Sequence, residues 1–348
     1  MKRLLMTVMV FSLPVAALAQ QPEGRPATEG IVAAQAATVA ASATSAAQAP
    51  AAPSAPHRRP SMVGYIDDSS IANAFRVRFD SGSNIQGADR AEFFYAKCGC
   101  YRDLPPGNAA YDPNAPGPGP GVLTSADYTE FHVYGEYAVS PRLSLVGNLP
   151  IRSLKPQSFV PGTGSFGDQS GLGDIRAGLK LGMASDASSQ ITLQVLAFMP
   201  TGDSEKGLGT NHWSIDPAVL YNTDLGDRAS IEAEFGSVLP TDGSAGVPTS
   251  SPDKFSGKVI HYGIGPSVDV YSNGDARLAA VVELFGWHIV DGFSTFENAK
   301  ANGTNIVNLK IGGRMAFGKN SVYVGWGKAL TDVTWYDHIL RFEYRYGF

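Results

Sequence analysis

The chain has 348 residues, 43% of them hydrophobic and only 17% charged, with a formal net charge of −5. The charged share lies below the ~25% of an ordinary soluble domain, and the mild negative charge argues against nucleic acid as a partner. Beyond the N-terminus no run reaches the ~20 apolar residues of a membrane helix, which excludes a helical membrane protein.

In chain order, Lys2 and Arg3 precede a short apolar run over residues 4–13, Pro14 breaks it, and Ala17-Leu18-Ala19 offers small residues for cleavage before Gln20. Residues 1–19 therefore read as a signal peptide that places the mature chain beyond the inner membrane. Residues 20–60 are Ala, Pro, Ser, Thr and Gln with almost no large apolar side chains. Such a stretch cannot bury enough surface to offset its ordering entropy and reads as a disordered periplasmic tail.

Residues 61–348 read as an all-β domain, a transmembrane antiparallel up-and-down β-barrel. Runs of roughly ten residues alternate apolar with polar or small side chains and stop at turn residues, the period-2 pattern of a strand with one face in lipid and one in a lumen. Ile175, Ala177, Leu179 and Leu181 share one face of such a run, and Asp174, Arg176, Gly178 and Lys180 the other. Strands are expected over 71–80, 128–139, 142–152, 171–183, 190–199, 213–223, 228–239, 259–271, 277–289, 304–317, 321–330 and 336–348, about twelve in all. That is an even number, as in bacterial single-chain barrels. Residues 91–96 are a rival for the first strand.

The links alternate in length. Those at 140–141, 184–189, 224–227, 272–276 and 318–320 are short, those at 153–170, 200–212, 240–258 and 290–303 are long, and only 331–335 breaks the rule. Outer-membrane barrels have short periplasmic turns and longer extracellular loops, so both termini are expected in the periplasm. The last run places Leu340, Phe342, Tyr344, Tyr346 and Phe348 on one face. An apolar stripe ending in aromatics suits a lipid-facing strand whose tip lies in the interfacial girdle. Phe342, Tyr344, Tyr346 and Phe348 also resemble the C-terminal signal of outer-membrane proteins, which implies the barrel-assembly machinery as a partner, beside outer-membrane lipid and lipopolysaccharide.

The polar member of each alternation gives the expected lumen. It comprises Arg76 and Arg78, then Glu130, His132 and Glu136, then Asp174, Arg176 and Lys180. Glu232, Glu234, His261, Asp269 and Glu283 follow, then Lys310, Arg314, Arg341, Glu343 and Arg345. Closure of first strand on last would bring Glu343 near Arg76 or Arg78. Both signs are present. They fit a charged lining that selects a small-molecule solute and equally a set of salt bridges that stiffens a narrow barrel. No His-x3-His pair or comparable metal spacing occurs, so no metal or cofactor is expected. An enzyme is not expected either; the one candidate for an outer-membrane hydrolase is His212 beside Trp213, with Asp203 and Asp216 nearby. Cys98-x-Cys100 lies in the first long link, where export favours oxidation and the pair reads as a loop staple or two free thiols rather than a metal site.

Two stretches carry a family likeness. One runs from Phe166 through Gly171-Leu172-Gly173-Asp174 into the alternating strand that ends at Lys180; the other joins Pro200-Thr201-Gly202-Asp203 to Gly209-Thr210-Asn211-His212-Trp213 and Asp216-Pro217-Ala218. Together they resemble a family of outer-membrane proteins named for a phenol-degradation pathway and taken as transporters. The resemblance implies a passive channel for small molecules, aromatic or apolar compounds among them. The alternatives are a structural or adhesion barrel with a salt-bridge-closed lumen and the hydrolase. The sequence shows no sign of an N-terminal hatch inside the barrel.

Overall fold

The computed structural model describes residues 59–86, 98–241, 257–274, 276–295, 297 and 299–348. The signal-peptide and tail readings for residues 1–58, and the rival strand at 91–96, lie outside the described residues.

Alternating sequences pair into one closed antiparallel sheet. Its members are β1 (Ala74–Ile85), β2 (Leu123–Ser140), β3 (Leu143–Phe159), β4 (Gln169–Leu172), β5 (Ile175–Ser185), β6 (Ser189–Met199), β7 (Ser214–Leu225), β8 (Ala229–Pro240), β9 (Val259–Asn273) and β10 (Ala276–Ile289). A small hairpin, β11 (Phe293–Ser294) with β12 (Ala299–Lys300), decorates a loop before β13 (Asn305–Phe317), β14 (Asn320–Ala329) and β15 (His338–Gly347) resume the wall. Both β4 and β5 pair with β3 and form one wall strand broken at Gly173-Asp174, so the wall has twelve strands. Strand β15 closes it on β1, with Arg78 opposite Glu343 and Phe79 opposite Phe342.

The alternation sorts the two faces as a lipid-embedded barrel requires. Phe79, Phe131, Leu145, Val219, Phe235, Ile264, Ile311, Val324 and Phe342 all point outward, each at least 40% exposed. A soluble monomer does not display an apolar belt of this extent; in a bilayer it is the solvated face. Tyr137, Tyr271, Phe317 and Phe348 ring the end that carries the short turns, where an aromatic girdle is expected. The turns there are tight; Gly226 and Gly318, at φ of 65° and 54°, adopt a left-handed backbone that side chains disfavour. The other end carries the long connections.

Three expectations are corrected. Strands β2 and β3 run well past 128–139 and 142–152, because their alternation continues with polar side chains on both faces. Over 18 residues at ~3.4 Å each, β2 outreaches a ~25 Å apolar band, and the hairpin's tip is tied by polar contacts such as Gln157 Nε2 to Asp127 at 3.1 Å. Tyr336, expected in the last strand, lies in the preceding loop, buried with Trp335. The third correction matters most. Ile71, Ala72 and Asn73 are not wall, and residues 59–73 run inside the barrel.

This lumen segment enters at the short-turn end, where Arg59 lies 3.6 Å from Asp269. It climbs through Ser61–Ile66, all buried, to Tyr65. It then returns past Asp68 and Ser70 to start β1 at the end it came from. Met62, Val63 and Ile66 share an apolar cluster with Val281, Phe285 and Tyr323. Gly64 packs so closely on the Tyr323 ring that a Cβ there would overlap it. The barrel therefore does contain a hatch formed by its own N-terminal segment.

Candidate functional site

A chain segment without secondary structure carries unpaired backbone amides and carbonyls, which need partners once buried. The inward charges of the wall supply them. Glu232 Oε1 accepts Met62 N at 3.0 Å, and Glu283 accepts the amides of Gly64, Tyr65 and Ile66 at 3.0, 2.8 and 3.0 Å. Glu234 accepts Asp67 N at 2.8 Å, and Glu136 accepts Ala72 N at 3.3 Å. Arg314 donates to the carbonyls of Met62 and Val63 at 3.2 and 2.7 Å, Arg341 to Gly64 O at 2.6 Å, and Lys180 to Ser70 O at 3.0 Å. Gln190 and Thr192 both donate to Ser69 O at 2.6 Å. Hydrogen bonds to ionised groups contribute ~1.5–3 kcal/mol each, so the segment is held by many separate contacts.

The wall charges are also paired with one another. Arg341 grips Asp80 with two 2.7 Å bonds, and Glu343 receives Arg314 at 2.7 Å, Arg345 at 3.2 Å and Arg76 at 3.7 Å. Arg76 also stacks on Tyr134 at 4.1 Å. Lys180 meets Glu136 at 2.8 Å. Asp269 sits at the turn end between Arg277 at 3.0 Å and Arg59. Unpaired, any of these buried charges would be costly; paired and hydrogen-bonded they are tolerated and fix the arrangement.

Above Tyr65, toward the long-loop end, a cavity of about 220 Å³ remains. Its charged lining includes Arg78, Glu130, His132, Arg176, His261 and Lys310, and its aromatic lining Phe285, Trp287, Trp335 and Tyr336. Glu130 joins His132 at 2.6 Å and Arg152 at 2.7 Å. His261 bridges Asp216 and Glu234, 2.8 Å from each. Residues of the loop before β15, Trp335 and Tyr336, form the roof.

Asp174 stands apart from the other inward residues. It occupies the break between β4 and β5, where its carboxylate accepts Gly202 N at 2.9 Å and Thr210 N and Oγ1 at 2.8 Å. It ties both limbs of the loop between β6 and β7 to the strand break at the rim and does not line the cavity. The break explains why alternation misplaced it: the residue before Ile175 is no longer in a strand. The hydrolase residues are engaged separately, Asp216 with His261, Asp203 with Lys206 at 3.0 Å, and His212 Nδ1 with Thr210 O at 2.8 Å. Cys98 and Cys100 form a disulfide. Among the described residues no group of three His, Cys, Asp or Glu is placed to hold a metal.

Sequence reasoning missed Tyr65, Asp67, Asp68, Asp80 and Arg152, and weighed Asp216 only as a neighbour of His212 rather than as a partner of His261. Asp80 and Arg152 were within reach, since each continues a charged inward face, after Arg78 and opposite Glu130. The segment residues left a fainter trace. Ser61-Met62-Val63-Gly64-Tyr65-Ile66 is the first apolar cluster after the Ala/Pro tail, and it faces the small inward residues Gly263 and Gly265 of β9, where added Cβ atoms would crowd Ile66 and Val63.

Among solved structures, the chain is similar to an outer-membrane channel from Pseudomonas putida F1, at 14% identity and TM-score 0.48, over 82% of this chain and 99% of that one. It is similar to the CymD monoaromatic hydrocarbon channel (10% identity, TM-score 0.42, 80% and 89%) and to the Ralstonia pickettii toluene transporter TbuX (10%, 0.39, 80% and 90%). No curated protein matches the chain in sequence. The profile of one protein family does match, over residues 114–334, which span most of the barrel wall, and the chain belongs to that family, described as Putative MetA-pathway of phenol degradation.

Proposed function

We propose that the chain is a passive outer-membrane channel for small molecules, aromatic compounds among them, and that residues 59–73 set its conductance. The observation that carries this reading is the way the lumen is obstructed. Among the described residues the segment at 59–73 fills the lumen below the cavity, held by hydrogen bonds from its backbone to wall side chains, and each such bond can be exchanged for one to water at modest net cost. The ring-rich cavity above it and the family's description support aromatic solutes. In this reading the short turns and both ends of the barrel chain face the periplasm, and the long loops face outward.

The ion pairs Arg341–Asp80, Arg152–Glu130 and Arg314–Glu343 favour a second reading, a structural barrel sealed by its own charges. Planar-bilayer conductance of the full chain and of a variant lacking residues 61–72 separates the two. Deletion is expected to raise single-channel conductance and shorten closed times while the barrel stays heat-modifiable on gels. A folded deletion variant as silent as the full chain would establish the sealed barrel instead.

A further inference from the structure

The cavity above Tyr65 is lined by five Lys and Arg side chains and five carboxylates, but these are unevenly paired. Arg341 and Arg78 share Asp80, Arg152 is paired with Glu130, and His261 is held by Asp216 and Glu234. Lys310 differs from these. Glu283, directly across from it on β10, is committed to three amides of the lumen segment and to the Tyr323 hydroxyl. Among the described residues no carboxylate lies within ion-pair distance of Lys310 Nζ. The ammonium instead rests over three rings, 3.8 Å from the centroid of Tyr65, 4.8 Å from Phe285 and 5.5 Å from Trp287. Arg176, opposite in the barrel, is in the same position, stacked 4.5 Å over Phe198. Cation–π contacts contribute ~0.5–2 kcal/mol, less than a desolvated ammonium gains from an anion at hydrogen-bond distance.

The geometry points to Lys310 and the rings around it as a binding site for a single-ring aromatic carboxylate, with the carboxylate on Nζ and the ring against Phe285, Trp287 and Trp335. Three observations converge on that class. The Lys310 ammonium has no carboxylate within ion-pair distance among the described residues, and of the two cations so placed it is the one that stands over Phe285 and Trp287. The wall beside it is aromatic, with Phe285 and Trp287 centroids 4.8 Å apart and Trp287 and Trp335 4.4 Å apart, both pairs edge-on. The volume, about 220 Å³, accommodates a single ring, for which ~150 Å³ suffices with benzene, together with a carboxylate group. The inference rests on the proposed channel only in taking this cavity as part of the solute path.

Binding to the full chain in detergent tests it, read by tryptophan fluorescence with benzoate, benzyl alcohol and acetate as probes. Benzoate is expected to bind saturably, with benzyl alcohol, which keeps the ring, and acetate, which keeps the charge, each weaker by about tenfold or more, ~1.4 kcal/mol per factor of ten. Lys310→Met should bring benzoate down to the benzyl alcohol level and leave benzyl alcohol unchanged, and Lys310→Arg should retain most of the benzoate affinity. Benzyl alcohol or acetate binding as tightly as benzoate to the unmodified chain overturns the assignment with no variant needed. So does a folded Lys310→Met chain that binds benzoate normally. Because binding is read without current, saturable benzoate binding by a barrel that never conducts would remove the channel reading and leave this site standing; conduction without benzoate binding would do the reverse.

Discussion

Asp68 lies on the returning limb of the lumen segment, its Oδ2 2.8 Å from Arg345 and its Oδ1 accepting from the Ser70 amide and hydroxyl at 2.8 and 2.5 Å. Burial raises this carboxyl, but Arg345, Lys180 and Ser70 outweigh burial and hold it at about 2, below its ordinary 3.8. A carboxyl held below its free value by partners on the wall favours the docked segment. That contribution is complete above the free value and is lost as pH falls from there through about 2. Asp68→Asn should therefore raise the open probability at neutral pH. The gap between variant and wild type should stay constant on mild acidification and close only below about pH 4, as read by bilayer recordings of both chains across that range. A variant indistinguishable from wild type at neutral pH would show that this carboxylate does not hold the segment. At this scale the sequence told which side chains face inward, since Glu283, Arg314 and Glu343 all lie on the polar member of an alternation. It could not tell what they meet. Their partners are backbone groups of residues 62–66, and that segment has no period to reveal its place.

Strand β15 shows why elements were easier to read than their ends. Its outward Leu340, Phe342 and Tyr346 alternate with inward Arg341, Glu343 and Arg345, and a pattern of period 2 fixes both faces of a strand at once. The same rule identified the existence of every wall strand, yet it gave no warning of the break at Gly173-Asp174, where a turn-forming glycine sits inside an otherwise alternating run. Nor did it limit β2 and β3, whose polar tips leave the bilayer. The faces carry an energetic consequence. An arginine at mid-bilayer on the lipid side of a barrel costs ~2–4 kcal/mol, whereas inward Arg345 is compensated by Asp68 and Glu343. Phe342→Arg and deletion of Phe348 should thus both lower the fraction of heat-modifiable barrel in the outer-membrane fraction. Arg345→Ala should assemble normally, since Glu343 keeps Arg314 and Arg76. Equal assembly of Phe342→Arg and Arg345→Ala would reverse the assignment of faces on this strand.

Orientation is a property of the whole barrel, and it decides from which side the lumen segment can be released. The turns at Gly226 and Gly318 are tight, the loops at the opposite end are long, and residue 59 and Phe348 both lie at the turn end. Outer-membrane barrels place short turns in the periplasm and long loops outside. On that rule residue 59 lies at the periplasmic end of the barrel, and the aromatic cavity under Trp335 and Tyr336 lies toward the medium. Solute would then reach the ring-lined site first and the hydrogen-bonded segment second, the order that suits uptake. Single cysteines test this directly, because the only two native cysteines are joined to each other and the unmodified chain serves as the background. Ser165→Cys, exposed between β3 and β4, should react with a membrane-impermeant maleimide on whole cells; Asp227→Cys, exposed in the turn between β7 and β8, should react only after the outer membrane is broken. Neither position takes part in a pairing of the wall, so neither substitution should disturb assembly. Labelling of Asp227→Cys but not of Ser165→Cys on intact cells would invert the barrel. It would also open the cavity to the periplasm and make the lumen segment a barrier met from outside.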